Sequence, residues 1–363
     1  MNTFKHKFGQ TIGELSVIAV LASLVLLGSA MKARARVFVV SNTIQAAVDA
    51  ANPGDRVRVP PGIYRENVLV TKDNISIEGS SGSVMDGTGL SGKSGITVKP
   101  PASSMRISGF RLSGLQIQNY SENGVILVRV DNFGIGHGKY LNNDEYGIFP
   151  ISSSHGLIEF NQVSGSNDTG IYIGQSHDVV IKANYVSDCT VGIDVELSSN
   201  IAVQDNKAIE NTIGMTTEVL PGLRVTTTTG VQIINNLLIG NNRPNPVTDP
   251  TELLSQLPTG AGLLIIGADG VTVKHNIVIQ NRSVGIGIIQ LPPAAAGLDP
   301  RVNPFPDNDE VLENVVILNG GDPDPKLAPF PPSDLIWDFS GSGNCWDDNL
   351  YKTSFPAALP DCP

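Results

Sequence analysis

The sequence predicts an all-β solenoid of stacked parallel strands, and three observations lead there. Glycines followed by alternating apolar residues recur at Gly124, Gly147, Gly170, Gly192 and Gly214, in steps of 23, 23, 22 and 22 residues. A second motif runs in phase, with apolar residues five and three places before an Asn: Val179, Ile181 and Asn184, then Ile201, Val203 and Asn206. The units hold short period-2 segments broken by Gly and Asn, with no helical period. A unit of this size cannot bury its own apolar face, but stacked units can, with like positions about 4.8 Å apart. Asn stacked on Asn can bond its amide to the coils above and below, which supports a residue that strands otherwise disfavour. Antiparallel propeller blades are the rival, but their repeats run to about 40 residues or more.

From the N-terminus, residues 1–35 are expected to be an export signal. Lys5, His6 and Lys7 give a basic start, residues 15–27 are largely apolar, and small residues follow at Gly28, Ser29, Ala30, Ala33 and Ala35. The run is short for a membrane-spanning helix, which needs about 20 apolar residues. Gly9 with Glu14 also resembles a prepilin leader, although Gln10 stands where a hydrophobic residue is expected, so a retained anchor stays open as the alternative. Residues 36–340 form the solenoid. The repeat resumes at Gly262 and Gly285, and the 48 residues between Gly214 and Gly262 read as two coils enlarged by loops. Proline-rich loops fall at 242–260, 291–309 and 320–333, and such insertions often wall a groove.

The tail, 341–363, reads as a flap stapled by Cys345 and Cys362, since export implies an oxidising compartment. Cys189 is expected to be a free, half-buried turn filler in the column of Asp144, Asn167 and Asn211. The whole chain carries 24 basic and 35 acidic residues, and without the leader the balance is 20 against 34, a net −14. A surface that acidic repels phosphate backbones, so nucleic acid is excluded as a partner. A secreted or periplasmic, cell-envelope monomer with no permanent membrane span is the expectation.

These residues resemble right-handed parallel β-helix repeat proteins of the pectin-lyase-like group, over almost the whole mature chain. The segment from Thr43 to Ala51 looks like their short N-terminal capping helix, and that from Gly54 to Tyr64 like their first coil. Gly170 to Ser176 and Gly192 to Glu196 look closest to an exported bacterial subgroup whose function is poorly defined. The resemblance implies a right-handed parallel β-helix and leaves the reaction open, because the fold hosts lyases, hydrolases, epimerases, adhesins and accessory proteins.

In each coil the residues one and three after Gly face the core, and those two and four after it face out. Most outward positions are apolar, which predicts that loops cover part of this face. The exception is the middle, where Phe149, Tyr172 and Asp194 share one column and Glu196 and Glu218 the next. Rings beside carboxylates suit a sugar, whose C–H faces stack and whose hydroxyls bond to acids. Stacked Glu196 and Glu218 repel each other, so one holds a raised pKa or the pair binds Ca²⁺. The bland alternative is a solvated acidic face. A lesser acidic column, Glu122, Glu145 and Asp168, sits two residues before each Gly, where turns collect acids for local bonds.

Tyr146, Gly147 and Pro150 match the Tyr-Gly-Phe-Asp-Pro-His pattern of mannuronan C-5-epimerases, but its Asp and His fall on Phe149 and Ile151. A further family Asp falls on Gly174. The epimerase acid–base set is therefore lost. The function expected is an exported protein binding a polysaccharide in its groove, as a cell-envelope binding or scaffold protein. The alternative is a polysaccharide lyase or hydrolase acting through Asp194, Glu196 and Glu218. In either case Tyr146, Phe149, Tyr172, Gln175 and Arg224 are the expected ligand-binding residues, with Arg224 the one nearby base candidate for a lyase. An inverting hydrolase would need carboxyls about 6.5–9.5 Å apart, from coils two apart or diagonal.

Overall fold

The computed structural model describes residues 35–103, 105–250, 253–327 and 330–363. The expected leader therefore lies, apart from its last residue, outside the described residues. Three parallel sheets run the length of the body. One holds 14 strands, from Val37–Val39 to Cys345–Asp347, and the other two hold 11 each, ending at Leu350–Tyr351 and Ser354–Phe355. About eleven coils at the strand spacing give a body roughly 50–55 Å long. Among the described residues no helix is long and apolar enough to cross a membrane.

A short helix, α1 (Ile44–Ala50), closes the N-terminal end. Thr43 caps it by accepting from the Ala46 N–H at 3.1 Å, and the Glu66 carboxylate takes the Ile44 and Gln45 N–H groups. Those bonds satisfy donors that a helix start leaves orphaned. Ile44 and Val48 then seal the core.

The sheet that matters for function contains strands β1 (Ile148–Ile151), β2 (Thr169–Gly174), β3 (Val191–Glu196), β4 (Ile213–Glu218), β5 (Ala261–Ile266) and β6 (Val284–Ile289). Its inward column runs Ile148, Ile171, Ile193, Met215, Leu263 and Ile286, each in register with the next and all buried. The preceding Gly column is a matter of space rather than of backbone angle. A Cβ on Gly192 would sit 2.5 Å from the Gly214 carbonyl oxygen. β4 pairs directly with β5, Met215 opposite Leu263. The 48 residues expected to be two coils are thus one coil with long insertions, because period counting cannot tell a second coil from a loop.

The Asn ladder forms as the spacing predicts. Asn161, Asn184, Asn206, Asn236, Asn276 and Asn314 each pass backbone N–H and side-chain Nδ2 bonds to the next Oδ1, and Asn349 accepts the last pair. A second ladder, Asn211, Asn241, Asn281 and Asn319, ends on Asp334. The Cys189 N–H donates to Asn211 Oδ1 and heads this column. Cys189 is fully buried and free, with burial pushing its thiol up to about 11. Cys345 and Cys362 are joined. The tail they staple, expected as a flap, carries one further strand into each sheet.

Candidate functional site

Strands β2 to β4 carry the candidate side chains outward on one face. Register places Tyr172 beside Asp194, Asp194 beside Thr216, and Glu196 beside Glu218. The three rings of Tyr146, Phe149 and Tyr172 form one cluster, with centroids 4.5 Å apart for Tyr146–Phe149, 5.0 Å for Tyr146–Tyr172 and 4.9 Å for Phe149–Tyr172. Gly174 makes room for it, since a Cβ there would lie 2.6 Å from the Tyr172 ring. The position that is acidic in the epimerase pattern is here the clearance for a tyrosine.

This face is not open. The proline-rich loops fold back over it and build a second apolar cluster in which Leu264 and Ile266 of β5 pack with Leu291, Ala295, Val302 and Leu327. Between loops and sheet lies a cavity of about 570 Å³. Its floor is Tyr146, Asp168, Tyr172, Asp194, Glu196 and Glu218, and its roof includes Leu254, Leu257, Pro258, Leu291, Pro292 and Leu327. The volume is that of a small-ligand site. Of the expected site residues, Phe149 supports the ring cluster from outside the cavity lining. Gln175 and Arg224 do not reach it: Gln175 sits in a left-handed turn at φ 46°, and Arg224 is exposed in the loop after β4. The lining cation is Lys326, whose Nζ donates to the Leu257 carbonyl.

The carboxylates are not a solvated face. Asp194 and Glu196 are 5% and 4% exposed. One oxygen from each of Asp194, Glu196 and Glu218 falls in a group spanning no more than 4.8 Å. Burial, then the Glu196 charge, raises Asp194 well above the usual carboxylate range, while the Thr216 hydroxyl, 2.6 Å away, opposes it. Burial raises Glu196 to about 7 despite a bond from the Tyr172 hydroxyl. Everything acting on Glu218 pushes the same way: burial first, then Asp194, Glu196 and Asp168. Glu196 Oε1 is buried without a hydrogen-bond partner, and an orphaned buried acceptor costs about 1–3 kcal/mol or more. Burial and the nearby acids also raise the hydroxyl of Tyr146, which bonds to Asp168, so both tyrosines stay neutral donors. The arrangement can share protons among three acids, or place three oxygens around a divalent cation such as Ca²⁺.

Loops were expected over this face, but Asp168, Thr216, Lys326 and the individual roof residues are parts that the sequence did not single out for this site. Asp168 was visible only as a turn acid, and its register with the Gly column was the available signal.

A family model described as a right-handed β-helix region matches residues 123–291. No curated protein sequence matches the chain. Among solved structures, the A-module of mannuronan C-5 epimerase AlgE4 from Azotobacter vinelandii is similar at TM-score 0.59 and 16% identity, over 85% of this chain and 90% of that one. DFA-IIIase from Arthrobacter chlorophenolicus A6 matches at 0.53 and 14%, over 85% and 91%. The Dettilon tailspike protein matches at 0.57 and 12%, over 84% and 62%. At such identities the likeness is one of fold. Three continuous parallel sheets, the stacked Asn and Gly columns and these matches together make the chain a right-handed parallel β-helix protein.

Proposed function

We propose that the cavity is the active site of an exported glycoside hydrolase that takes the end of a carbohydrate chain. The observation that carries this is the buried, unpartnered Glu196 Oε1 beside Glu218, which burial and its acidic neighbours push well above the usual carboxylate range. A binding groove has no need of such a costly pair, whereas hydrolysis uses one neutral and one charged carboxyl. Thr216 and Tyr172 donate to Asp194 and Glu196 and favour charge there; nothing comparable lowers Glu218. On this reading the catalytic proton is assigned to Glu218.

Glu218 protonates the glycosidic oxygen while the Glu196 carboxylate attacks the anomeric carbon, so that the C–O bond breaks and the alcohol leaves. Water then gives a proton to Glu218 and displaces Glu196, and the net change is one bond cleaved and one water consumed. The short spacing of the acids suits this retaining route, which uses about 5–5.5 Å, better than an inverting one. Asp194, itself raised well above the usual carboxylate range, lies beside the pair and adds to the upward push on Glu218, and the tyrosine cluster stacks the sugar. A roofed cavity of this size supports a chain end rather than the middle of a polymer.

The carbohydrate-related names of the similar folds, an epimerase of mannuronan among them, support the substrate class. The Cys345–Cys362 disulfide supports export to a secreted or periplasmic place, with the cell envelope as the setting. The second reading, a non-catalytic binding or scaffold protein, rests on the lost epimerase residues at Phe149, Ile151 and Gly174. Reducing-end release from a panel of neutral and acidic oligosaccharides tests the choice. Retention of a glycan with no release by the parent chain would favour the scaffold.

A further inference from the structure

The cavity is chemically divided, and the division says what the ligand carries. Its floor, on the coils that hold residues 146–218, presents four carboxylates and two tyrosine hydroxyls. Its other side is apolar: Leu264 and Ile266 from β5, Ile289 from β6, then Leu257, Leu291 and Leu327 from the loops. These side chains do not close the space between them. A cavity of about 570 Å³ remains, although Leu291 and Leu327 pack into a well-formed cluster around it. Apolar surface facing such a cavity favours a ligand whose own apolar group removes that surface from water. Sugar hydroxyls set against this wall would be desolvated without partners, so the wall suits an apolar group joined to the terminal sugar that the floor holds.

The charges narrow the sugar as well. The lining offers one cation, Lys326, against Asp168, Asp194, Glu196 and Glu218. A uronate carboxylate placed on this floor would sit among acids whose burial already disfavours charge, with Lys326 as the lining cation to balance it.

We propose that the ligand is a glycoside with an uncharged sugar and an apolar aglycone, the sugar on the Tyr172 and Glu196 floor and the aglycone against Leu257, Leu264 and Leu291. This rests on the hydrolase reading for the position of the bond, which lies at the boundary between the two walls. The aglycone is a hydrocarbon chain or an aromatic ring.

The test is calorimetric binding of methyl, octyl and phenyl glycosides, each in the gluco, galacto and manno series, plus octyl glucuronide, to the chain from residue 36 onward. Octyl glycosides are kept below their micelle concentration, and Glu196→Gln is used so that nothing is cleaved. The expected result is octyl or phenyl binding at least about tenfold tighter than methyl in one series, in line with burial of several CH₂ groups or a ring. An octyl preference assigns a chain and a phenyl preference a ring. Octyl glucuronide should bind at least about tenfold more weakly than its neutral partner.

Leu257→Ser should erode the preference. So should Ala294→Asp, an exposed rim position whose change leaves the core intact. Equal affinity for methyl, octyl and phenyl forms, tighter binding of the glucuronide, or no binding at all would overturn the proposal. The two readings fail separately: a parent chain that binds octyl glycosides without cleaving them loses the hydrolase and keeps the ligand class. Cleavage of bare oligosaccharides with no aglycone preference does the reverse.

Discussion

Glu218 lies directly beside Glu196 in the register of two parallel strands, with Asp194 and Thr216 paired two residues earlier on the same face. A 22-residue step from Gly192 to Gly214 sets that pairing, so the acids are brought together by the repeat that builds the fold. Covering loops then remove water from them. Burial raises both acids above the ordinary carboxylate range, and under the proposed hydrolase reading one serves as acid and the other as nucleophile.

Activity should fall as pH drops through about 7, because Glu196 must be ionised to attack. It should fall again at higher pH, when Glu218 loses its proton. A kcat/KM profile flat through neutrality contradicts the assignment.

Stability should carry the same signature. Glu196 is raised from 4.5 in the open chain to about 7 when folded, so the folded state binds more protons across that window. The resulting stabilisation is complete below about 4.5 and is lost as pH rises through 7, by up to about 3 kcal/mol. Glu196→Gln should flatten this part of the thermal-unfolding profile. Asp309, raised by burial to about 8 with a buried, unpartnered Oδ2, adds a loss of the same sign. Its Oδ1 accepts from the Val271 N–H and its own N–H donates to Asn344 Oδ1, as a ladder Asn would. Asp309→Asn should therefore raise the Tm most clearly at pH 9, and an unchanged Tm there counts against the buried charge.

The ladder should be the least replaceable part of the body. Asn184 accepts from Asn161 and donates to Ile158 and Asn206, all in the buried interior. Asn184→Ala strands several groups at once and should cost about 3 kcal/mol or more. Denaturant unfolding of the variant against the parent measures it.

Chelation should leave turnover unchanged, and millimolar Ca²⁺ should inhibit it. A cation among Asp194, Glu196 and Glu218 would favour their charged forms and strip the proton that Glu218 must donate. Activation by Ca²⁺ would instead make the trio a metal centre.

Much of this was legible in the chain, for reasons that differ by element. The coils and the Asn161–Asn184–Asn206 column could be read because one residue type recurs at one spacing. So could the Tyr172–Asp194 and Glu196–Glu218 pairs, which inherit that spacing. The coil between Gly214 and Gly262 could not, since its insertions mask the period. Cys189 was rightly set in the column of Asn211, but Asp144 and Asn167 were placed there one residue too late, since the buried residues of those turns are Asn143 and Ser166; the 23-residue coils spend their extra residue in that turn. That loops would cover the apolar outward positions was legible, but the residues that roof the acids were not, because the paths of those loops depend on packing against Leu264 and Ile266 rather than on any repeat. Arg224 was drawn into the site by closeness in sequence, yet its loop carries it outward.

Binding of the sugar should depend on the ring cluster. Tyr172→Ala should weaken glycan affinity by about 1–3 kcal/mol, as loss of an aromatic anchor does elsewhere. It also removes the donor to Glu196, so the acid limb of the pH profile should move upward. Titration of the variant beside the parent reads both effects.

The central claim is that Glu196 and Glu218 act as a catalytic pair, and single-turnover cleavage by the Glu196→Gln chain tests it most directly. The substrate is whichever glycoside the parent releases fastest. The account predicts that binding persists while release falls by about 10²–10⁴-fold. Release at the parent rate, with the glycoside still bound, would contradict it.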